Sequence, residues 1–515
     1  MMDLTKNSFI NSIFVLVSQI SGFLRDIFLA AFLGSGNISN MFLIALRLPF
    51  SFQQSLSGET FHSAFIPSLS AIKGEDIVYR RYQLAKNIFW ITLLILIPLI
   101  VIAVIFMPEI LKIVAPGMVD QPKFDLLVLC SRICFPYLSF IMLSSVFVGL
   151  LNYRNKFAVT ASLPIILNLS IVLYIIFSND LSDNRIISLG FTLLIGGFLQ
   201  IMLLLLLTEK GFWRTPASIK NGINEIKNFF YILGPTFFSQ TFIQINVLVG
   251  ILFASFFEGA ISYIYFADRV YMLPLALTGI SIATVLIPDL SRFINKNGIS
   301  DALNLQNKAY KLTLALCLPA SVILIFLSQD IVKLIYQRGE FLEESSIYTA
   351  QVLQLLSLGL PAACVTKILT PYFFAKQDPY TPFKVTAISV FTNIFLMIIL
   401  FRSLGFYSIP ISISLTSFLT MFVYLLIHKK NNFFVFTKKV RIDTFKYLTL
   451  STILGIEILG FKEFTQSFYV NESCRLFSIF SLIFLTFLIF LKLFDQELID
   501  DLRSLLTKAD QQDPN

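Results

Sequence analysis

Along its 515 residues this chain returns repeatedly to an apolar run of about 20 residues, the length an α-helix needs to cross a bilayer's hydrocarbon core. Read with that ruler, the runs fall near 8–33, 40–70, 88–108, 125–151, 158–178, 186–208, 228–256, 260–290, 309–328, 346–374, 383–401, 406–428, 445–461 and 474–493. Backbone at that depth has no water to bond, so each run must close its hydrogen bonds internally as a helix. The expectation is an all-α polytopic membrane protein of about fourteen transmembrane helices, the second, eighth and tenth runs being the least apolar. Composition agrees: 56% of residues are hydrophobic and 14% charged, against about 25% charged in soluble chains.

An even number of spans puts both termini on one side, and loop charge decides which. With the N-terminus inside, the inner loops collect Lys73, Arg80, Arg81, Lys86, Arg154, Lys156, Lys210, Arg214, Arg292, Lys296, Lys429 and Lys430, among others. The outer loops carry Lys112, Lys123, Arg185, Lys333, Arg338, Arg402, Lys462 and Arg475. The positive-inside rule therefore places both ends in the cytoplasm. The net charge of +8 is spread over short loops, leaving no basic domain, so nucleic acid is excluded as a partner. Lys6 precedes the first run, but that run contains Arg25-Asp26 and no convincing cleavage site, so it is expected to stay as a helix. The five cysteines form no CxxC pair and read as small buried residues.

The chain also repeats itself. Ser18-Gln19, Ala45-Leu46-Arg47 and Ile66-Pro67-Ser68-Leu69-Ser70 return in register as Ser239-Gln240, Ala267-Asp268-Arg269 and Ile287-Pro288-Asp289-Leu290-Ser291. An even number of spans separates the copies, so the repeat is parallel. The expected organisation is an N-lobe of six helices over 1–215 and a C-lobe of six over 216–430. Two further helices follow over 431–495, then a polar cytoplasmic tail over 496–515.

Charges inside these runs are the informative residues. Arg25, Asp26, Arg47 and Glu59 lie in the first two runs, Asp268 and Arg269 in the eighth. Each costs roughly 2.5–3.5 kcal/mol at bilayer depth, so each is expected to face a polar cavity or a partner. Asp26 points about 100° away from Arg25 on the helix, so the two are not expected simply to neutralise each other. One reading is a cationic cavity for an anion, since arginine's planar fork grips phosphate oxygens and keeps its proton. The other is a structural ion pair between helices. Arg132 and Lys367, near run edges, suit snorkelling to the interface. Asn246 and Asn393 are polar groups at depth that suit either a cation or a helix–helix hydrogen bond. His62 and His428 have no His or Cys at metal-ligand spacing, and there is no Walker A or GxSxG sequence. The chain reads as a transporter, not an enzyme, with no metal and no cofactor expected.

Several stretches are similar to one known family. SGFLRDIFLAAFLGSG, IALRLPF and AFIPSLS in the first half resemble the MurJ (MviN) lipid II flippases, as do YFADRVYMLP and TVLIPDLS in the second. FPYLSF…GLLNYRNKF and LTPYFFAKQDPYTPFK extend the likeness through both lobes in order. The resemblance implies the multidrug/oligosaccharidyl-lipid/polysaccharide (MOP) exporter fold: two six-helix lobes in a V around a central cavity, with the two extra C-terminal helices shaping a groove for a polyprenyl tail. It implies movement of a polyprenyl-pyrophosphate-linked disaccharide-pentapeptide, lipid II, from the cytoplasmic to the periplasmic leaflet of the bacterial inner membrane by alternating access. A coupling cation and the cell-wall synthesis machinery are further partners to expect. By position, Arg25, Arg269 and Ser262 match cavity residues of the family, and Arg47 stands where it has a basic residue. Gln19 and Gln53-Gln54 stand where arginines are expected, Asn40 for an aspartate and Met272 for a glutamate, while Gly58-Glu59 inverts the usual order. The expected substrate-binding set is Arg25, Arg269, Arg47, Asp26, Ser262, Asp268, Glu59, Gln19 and Gln53. The alternatives are an exporter of another lipid-linked oligosaccharide, a drug or cation antiporter, or a non-transporting cell-wall scaffold.

Overall fold

A computed structural model of the chain describes residues 2–56, 58–73, 76–178, 182–218, 222–295, 298–431, 433, 438–466 and 472–496. The expected polar tail lies almost wholly outside the described residues. Every regular element among them is helical, as long apolar runs without water must be. The chain divides into two compact units, Met1–Ser262 with Arg338–Ser345, and Tyr263–Gln337 with Ser346–Asn515.

The first unit holds α1 (Met2–Leu33), α2 (Asn37–Leu56), α3 (Glu59–Ala71), α4 (Ile77–Ile105), α5 (Met107–Val114), α6 (Phe124–Cys134), α7 (Tyr137–Tyr153), α8 (Phe157–Phe177), α9 (Arg185–Leu207), α10 (Lys210–Arg214) and α11 (Ile223–Ala254). After α12 (Ala260–Pro274), which begins at the division, the second unit holds α13 (Ser281–Asn295), α14 (Ile299–Phe326), α15 (Ser328–Tyr336), α16 (Glu343–Leu358), α17 (Leu360–Leu369), α18 (Pro371–Ala375), α19 (Tyr380–Leu404), α20 (Ser408–Lys430), α21 (Lys438–Gln466) and α22 (Glu472–Phe494).

The internal repeat is visible in this order. A long helix (α1, α11) precedes a broken one (α2–α3, α12–α13). A long helix and a short one follow (α4–α5, α14–α15), then a second broken helix (α6–α7, α16–α17) and a closing pair (α8–α9, α19–α20). The first break is made by different means in the two copies. Between α2 and α3, Gly58 takes φ 59°, ψ −129°, a region essentially reserved for glycine. Between α12 and α13 the chain stays helical but widens to a π turn over Leu275–Ile280, a device found mostly as single turns inside α-helices.

Eleven helical segments among the described residues are long and apolar enough to cross a membrane, or twelve if α16 with α17–α18, bent by 43°, counts as one. The number falls short of the expected fourteen for two visible reasons. Tyr380–Lys430 counts as one segment of 51 residues, although α19 and α20 are separate helices packed along each other. The second run is divided into α2 and α3, and Arg47, Gln53 and Gln54 make α2 too polar to be among the segments.

The core of the first unit sits where α3, α4, α7, α10 and α11 meet. Phe61 and Phe65 of α3, Phe147 of α7, Phe212 of α10 and Phe229 of α11 are buried together. Phe229 meets Phe61 edge-on at 5.3 Å between ring centroids. Thus α11, beyond the boundary expected at 215, packs on α2 and α3 and clusters with the first unit. Gly149 on α7 makes room for this core, because a Cβ there would lie 2.4 Å from a ring carbon of Phe65. Gly149→Ala is therefore expected to lower stability by about 1–3 kcal/mol through overpacking, measured as a fall in the unfolding midpoint in detergent.

In the second unit the helical hairpin α21–α22 is fastened at both ends. Toward its start, Lys311 on α14 meets Asp495, just past α22, at 2.6 Å, and Tyr447 on α21 donates to the other oxygen of that carboxylate at 2.5 Å. At the far end Asp330 on α15 receives Lys462 from α21 and Arg475 from α22, each at 2.6 Å. Outside the spans, Asp378 accepts the Thr381 hydroxyl at 2.6 Å and the amides of Tyr380 and Thr381. The Thr381 hydroxyl first, and then the amides, hold its carboxyl below the usual range, so this loop acid caps α19.

Candidate functional site

The apolar run that makes α1 a membrane helix also carries Arg25 and Asp26 into the interior of the first unit. Arg25 is 9% and Asp26 1% exposed. The guanidinium folds back onto its neighbour: Nε donates to Asp26 Oδ1 at 3.0 Å and Nη2 to the same oxygen at 2.7 Å. Its third nitrogen, Nη1, donates to Asn168 Oδ1 on α8 at 3.0 Å. Asn168 in turn donates to Ser21 Oγ at 2.9 Å. The expectation that helical rotation would keep the two charges from neutralising each other is corrected. The rotation holds at Cβ, but three methylenes let the fork turn back along the helix. The result is a polar network in apolar surroundings, with every guanidinium nitrogen engaged. Burying the pair is affordable because each charge has both a counter-charge and hydrogen bonds.

Arg269 is prepared differently. It is half-buried on α12, its Cζ 4.8 Å from the ring centroid of Tyr265 one turn earlier, with Nη2 donating to the Tyr265 hydroxyl at 3.3 Å. An i−4 neighbour lies on the same helix face, and the aromatic face attracts and orients the planar fork. Asp268 beside it is also half-buried.

Ser262 is fully buried, and its amide and hydroxyl both donate to Asn40 Oδ1, at 3.0 and 2.8 Å. In this conformation it joins the start of α12 to α2. Asparagine at 40 keeps the acceptor that an aspartate would offer while burying no charge. Arg47 and Gln53 lie half-buried on α2, and Gln19 is exposed on α1. Gln54, beside Gln53, accepts from Gln244 of α11 at 2.6 Å. The backbone of Glu59 opens α3, but its side chain lies outside the described residues. Arg132 caps α4, donating to the carbonyls of Val104 and Ile105 at 2.9 and 3.5 Å, a structural use of charge at a helix C-terminus. Among the described residues no three His, Cys, Asp or Glu side chains gather as a metal site.

Of the expected set, then, the structure joins Arg25 to Asp26 and buries Ser262 against Asn40. Arg25, Asp26, Arg47, Gln19, Gln53 and Ser262 belong to the first unit, Asp268 and Arg269 to the second. Sequence reasoning missed Asn168 and Tyr265. Asn168 was detectable as an amide in an otherwise apolar run, Tyr265 as the aromatic one turn from an intramembrane arginine. Chemically, each unit thus holds an oriented guanidinium: Arg25 is set by a carboxylate and an amide, Arg269 by an aromatic ring.

The family described as lipid II flippase MurJ matches residues 29–479. A probable lipid II flippase MurJ of Rickettsia prowazekii (strain Madrid E) is 31% identical over 477 residues, 92% of this chain and 93% of the relative. One of Rhizobium meliloti (strain 1021) is 33% identical over 395 residues, 75% of this chain and 74% of the relative. Among solved structures, a lipid II flippase MurJ in an inward closed conformation superposes with a TM-score of 0.80 at 27% identity, covering 95% of this chain and 99% of the other. An inward-facing MATE-family multidrug transporter of the MOP superfamily superposes at 0.65 with 16% identity, over 80% of this chain and 94% of the other. That last likeness concerns the fold alone.

Proposed function

The chain belongs to the lipid II flippase MurJ family, a multi-span helical transporter of the MOP superfamily rather than an enzyme, and from that premise we propose how it works. It carries lipid II from the cytoplasmic to the periplasmic leaflet of the bacterial inner membrane by alternating access, with both termini in the cytoplasm. The observation that carries this reading is the family match across both halves of the chain, joined to an arginine network buried within the first span.

The physical problem is a pyrophosphate that must leave water. Its charge costs too much in hydrocarbon unless cations receive it. Arg25 and Arg269 are the proposed phosphate contacts, each a fork already oriented by its neighbours. Asp26 acts as a built-in stand-in for phosphate, satisfying the Arg25 fork while no substrate is present. Asp268, Arg47, Gln19, Gln53, Glu59 and Ser262 complete the proposed set. The glutamines donate without the strength of a charge. The polyprenyl tail is proposed to lie along α21–α22, and a coupling cation and the cell-wall synthesis machinery are the further partners this reading expects.

The test is growth of a bacterium depleted of its own flippase and supplied with this chain. Rescue is expected; no rescue despite good membrane expression would overturn the substrate assignment. In the same strain Arg25→Lys is expected to fail and Arg47→Lys to support growth. Lysine cannot reach Asp26 and Asn168 with separate in-plane nitrogens as the Arg25 fork does, whereas a basic point charge suffices at position 47. Equal growth of the two variants would refute this ranking.

A further inference from the structure

Arg185 opens α9, at the mouth of a loop, yet it is only 7% exposed. Its Cζ stacks 5.4 Å from the ring centroid of Phe32, near the end of α1. Phe32 meets Tyr174 of α8 edge-on at 6.1 Å. The Arg185 Nε is buried without a hydrogen-bond partner, and no carboxylate among the described residues pairs with the guanidinium. Asp183, two residues earlier, turns instead to Lys123 at the surface. The N-cap residue Asn184 makes no side-chain cap bond, so the partial positive charge at the start of this 23-residue helix is not offset by its own cap.

A buried cation without a counter-charge is a stability liability. Among the described residues no carboxylate offsets this charge, so fold stability alone gives no reason for an arginine here, and an anionic ligand would give one. The location says which kind. α1, α8 and α9 are each long and apolar enough to span a membrane, so the level where α1 and α8 finish and α9 begins is that of the lipid phosphates. Tyrosine suits the same level, and basic pockets between transmembrane helices bind anionic head groups. We propose that this end of the first unit is a binding site for a phosphate group, held by the Arg185 fork and the α9 N-terminus against the Phe32 ring. The phosphodiester of an anionic membrane lipid is its ligand. The site holds for either orientation of the chain and does not depend on the transport reading.

The test uses the full chain purified in detergent, unfolded thermally against rising short-chain phosphatidylglycerol, inorganic phosphate, or an uncharged glycolipid of equal chain length. The wild type is expected to be stabilised saturably by phosphatidylglycerol and not by the glycolipid. Without added lipid, Arg185→Met is expected to unfold at the same or a higher temperature, because it removes an uncompensated charge. It should need at least about tenfold more phosphatidylglycerol for half the effect. Arg185→Lys should fall between the two, and it carries the test if Arg185→Met does not fold. Stabilisation by inorganic phosphate at lower concentration than the lipid would support the phosphate chemistry with a soluble source. Equal midpoints for wild type and both variants, or equal stabilisation by the glycolipid, would overturn the proposal.

Discussion

Asp26→Leu is expected to abolish transport and to lower unfolding free energy by about 3–5 kcal/mol, the cost of stranding one member of a buried ion pair. The stranded member is Arg25, which has little water to fall back on at 9% exposure and would lose both bonds to Asp26 while keeping the one to Asn168. The double variant Arg25→Met/Asp26→Leu separates structure from function. Replacing a whole buried pair by apolar groups of similar volume is often neutral or stabilising, so stability should return. Transport should not return, because the phosphate contact is gone. If growth of flippase-depleted cells recovered together with stability, the pair would be a structural tie and Arg25 would leave the substrate-binding set.

Asp330→Ala is the second large effect. One carboxylate there holds two cations from two helices, with side-chain exposures of 10% for Asp330, 28% for Lys462 and 20% for Arg475. Removing it leaves two partly buried positive charges close together, and about 3 kcal/mol of stability should go with it. Detachment of the α21–α22 hairpin should show as new protease cleavage within it before the rest of the chain unfolds. The control is the Lys123–Asp183 pair, whose side chains are 47% and 50% exposed. Lys123→Ala should cost at most about 1 kcal/mol, as surface pairs do. Similar losses at both places would mean that burial does not set the strength of these contacts.

The fold class was legible because the bilayer imposes a length and a polarity that sequence shows directly. The repeat was legible too, since Arg47 and Arg269, or Pro67 and Pro288, stand in register. The structure repeats the same order of long, broken and short helices around them. The helix count was less secure, because α2 carries Arg47 and two glutamines and loses the apolar signature. The association of α11 with the first unit was not legible. Hydropathy says that a helix is buried in lipid or protein, not which neighbour's phenylalanines it meets.

Within the candidate site, residue type and depth pointed to Arg25 and Arg269, but the partners were hidden by different causes. Backbone rotation placed Asp26 away from Arg25 and said nothing of the reach of a long side chain. Asn168 is far from Arg25 in sequence, and only tertiary packing of α1 on α8 brings them together. Ser262 was located by family position, which cannot tell a side chain facing a ligand from one spent on Asn40. Arg185 looked like an ordinary loop cation, because its burial under Phe32 depends on where α1 ends.

The most direct measurement is translocation itself. The purified chain would be reconstituted in liposomes with lipid II placed in one leaflet, and its arrival in the other followed with a membrane-impermeant reagent for the pentapeptide amine. Wild type should expose lipid II with time, and Arg25→Lys and the Arg25→Met/Asp26→Leu variant should stay near the rate of empty liposomes. Liposomes with folded wild type that expose lipid II no faster than empty ones would contradict the account.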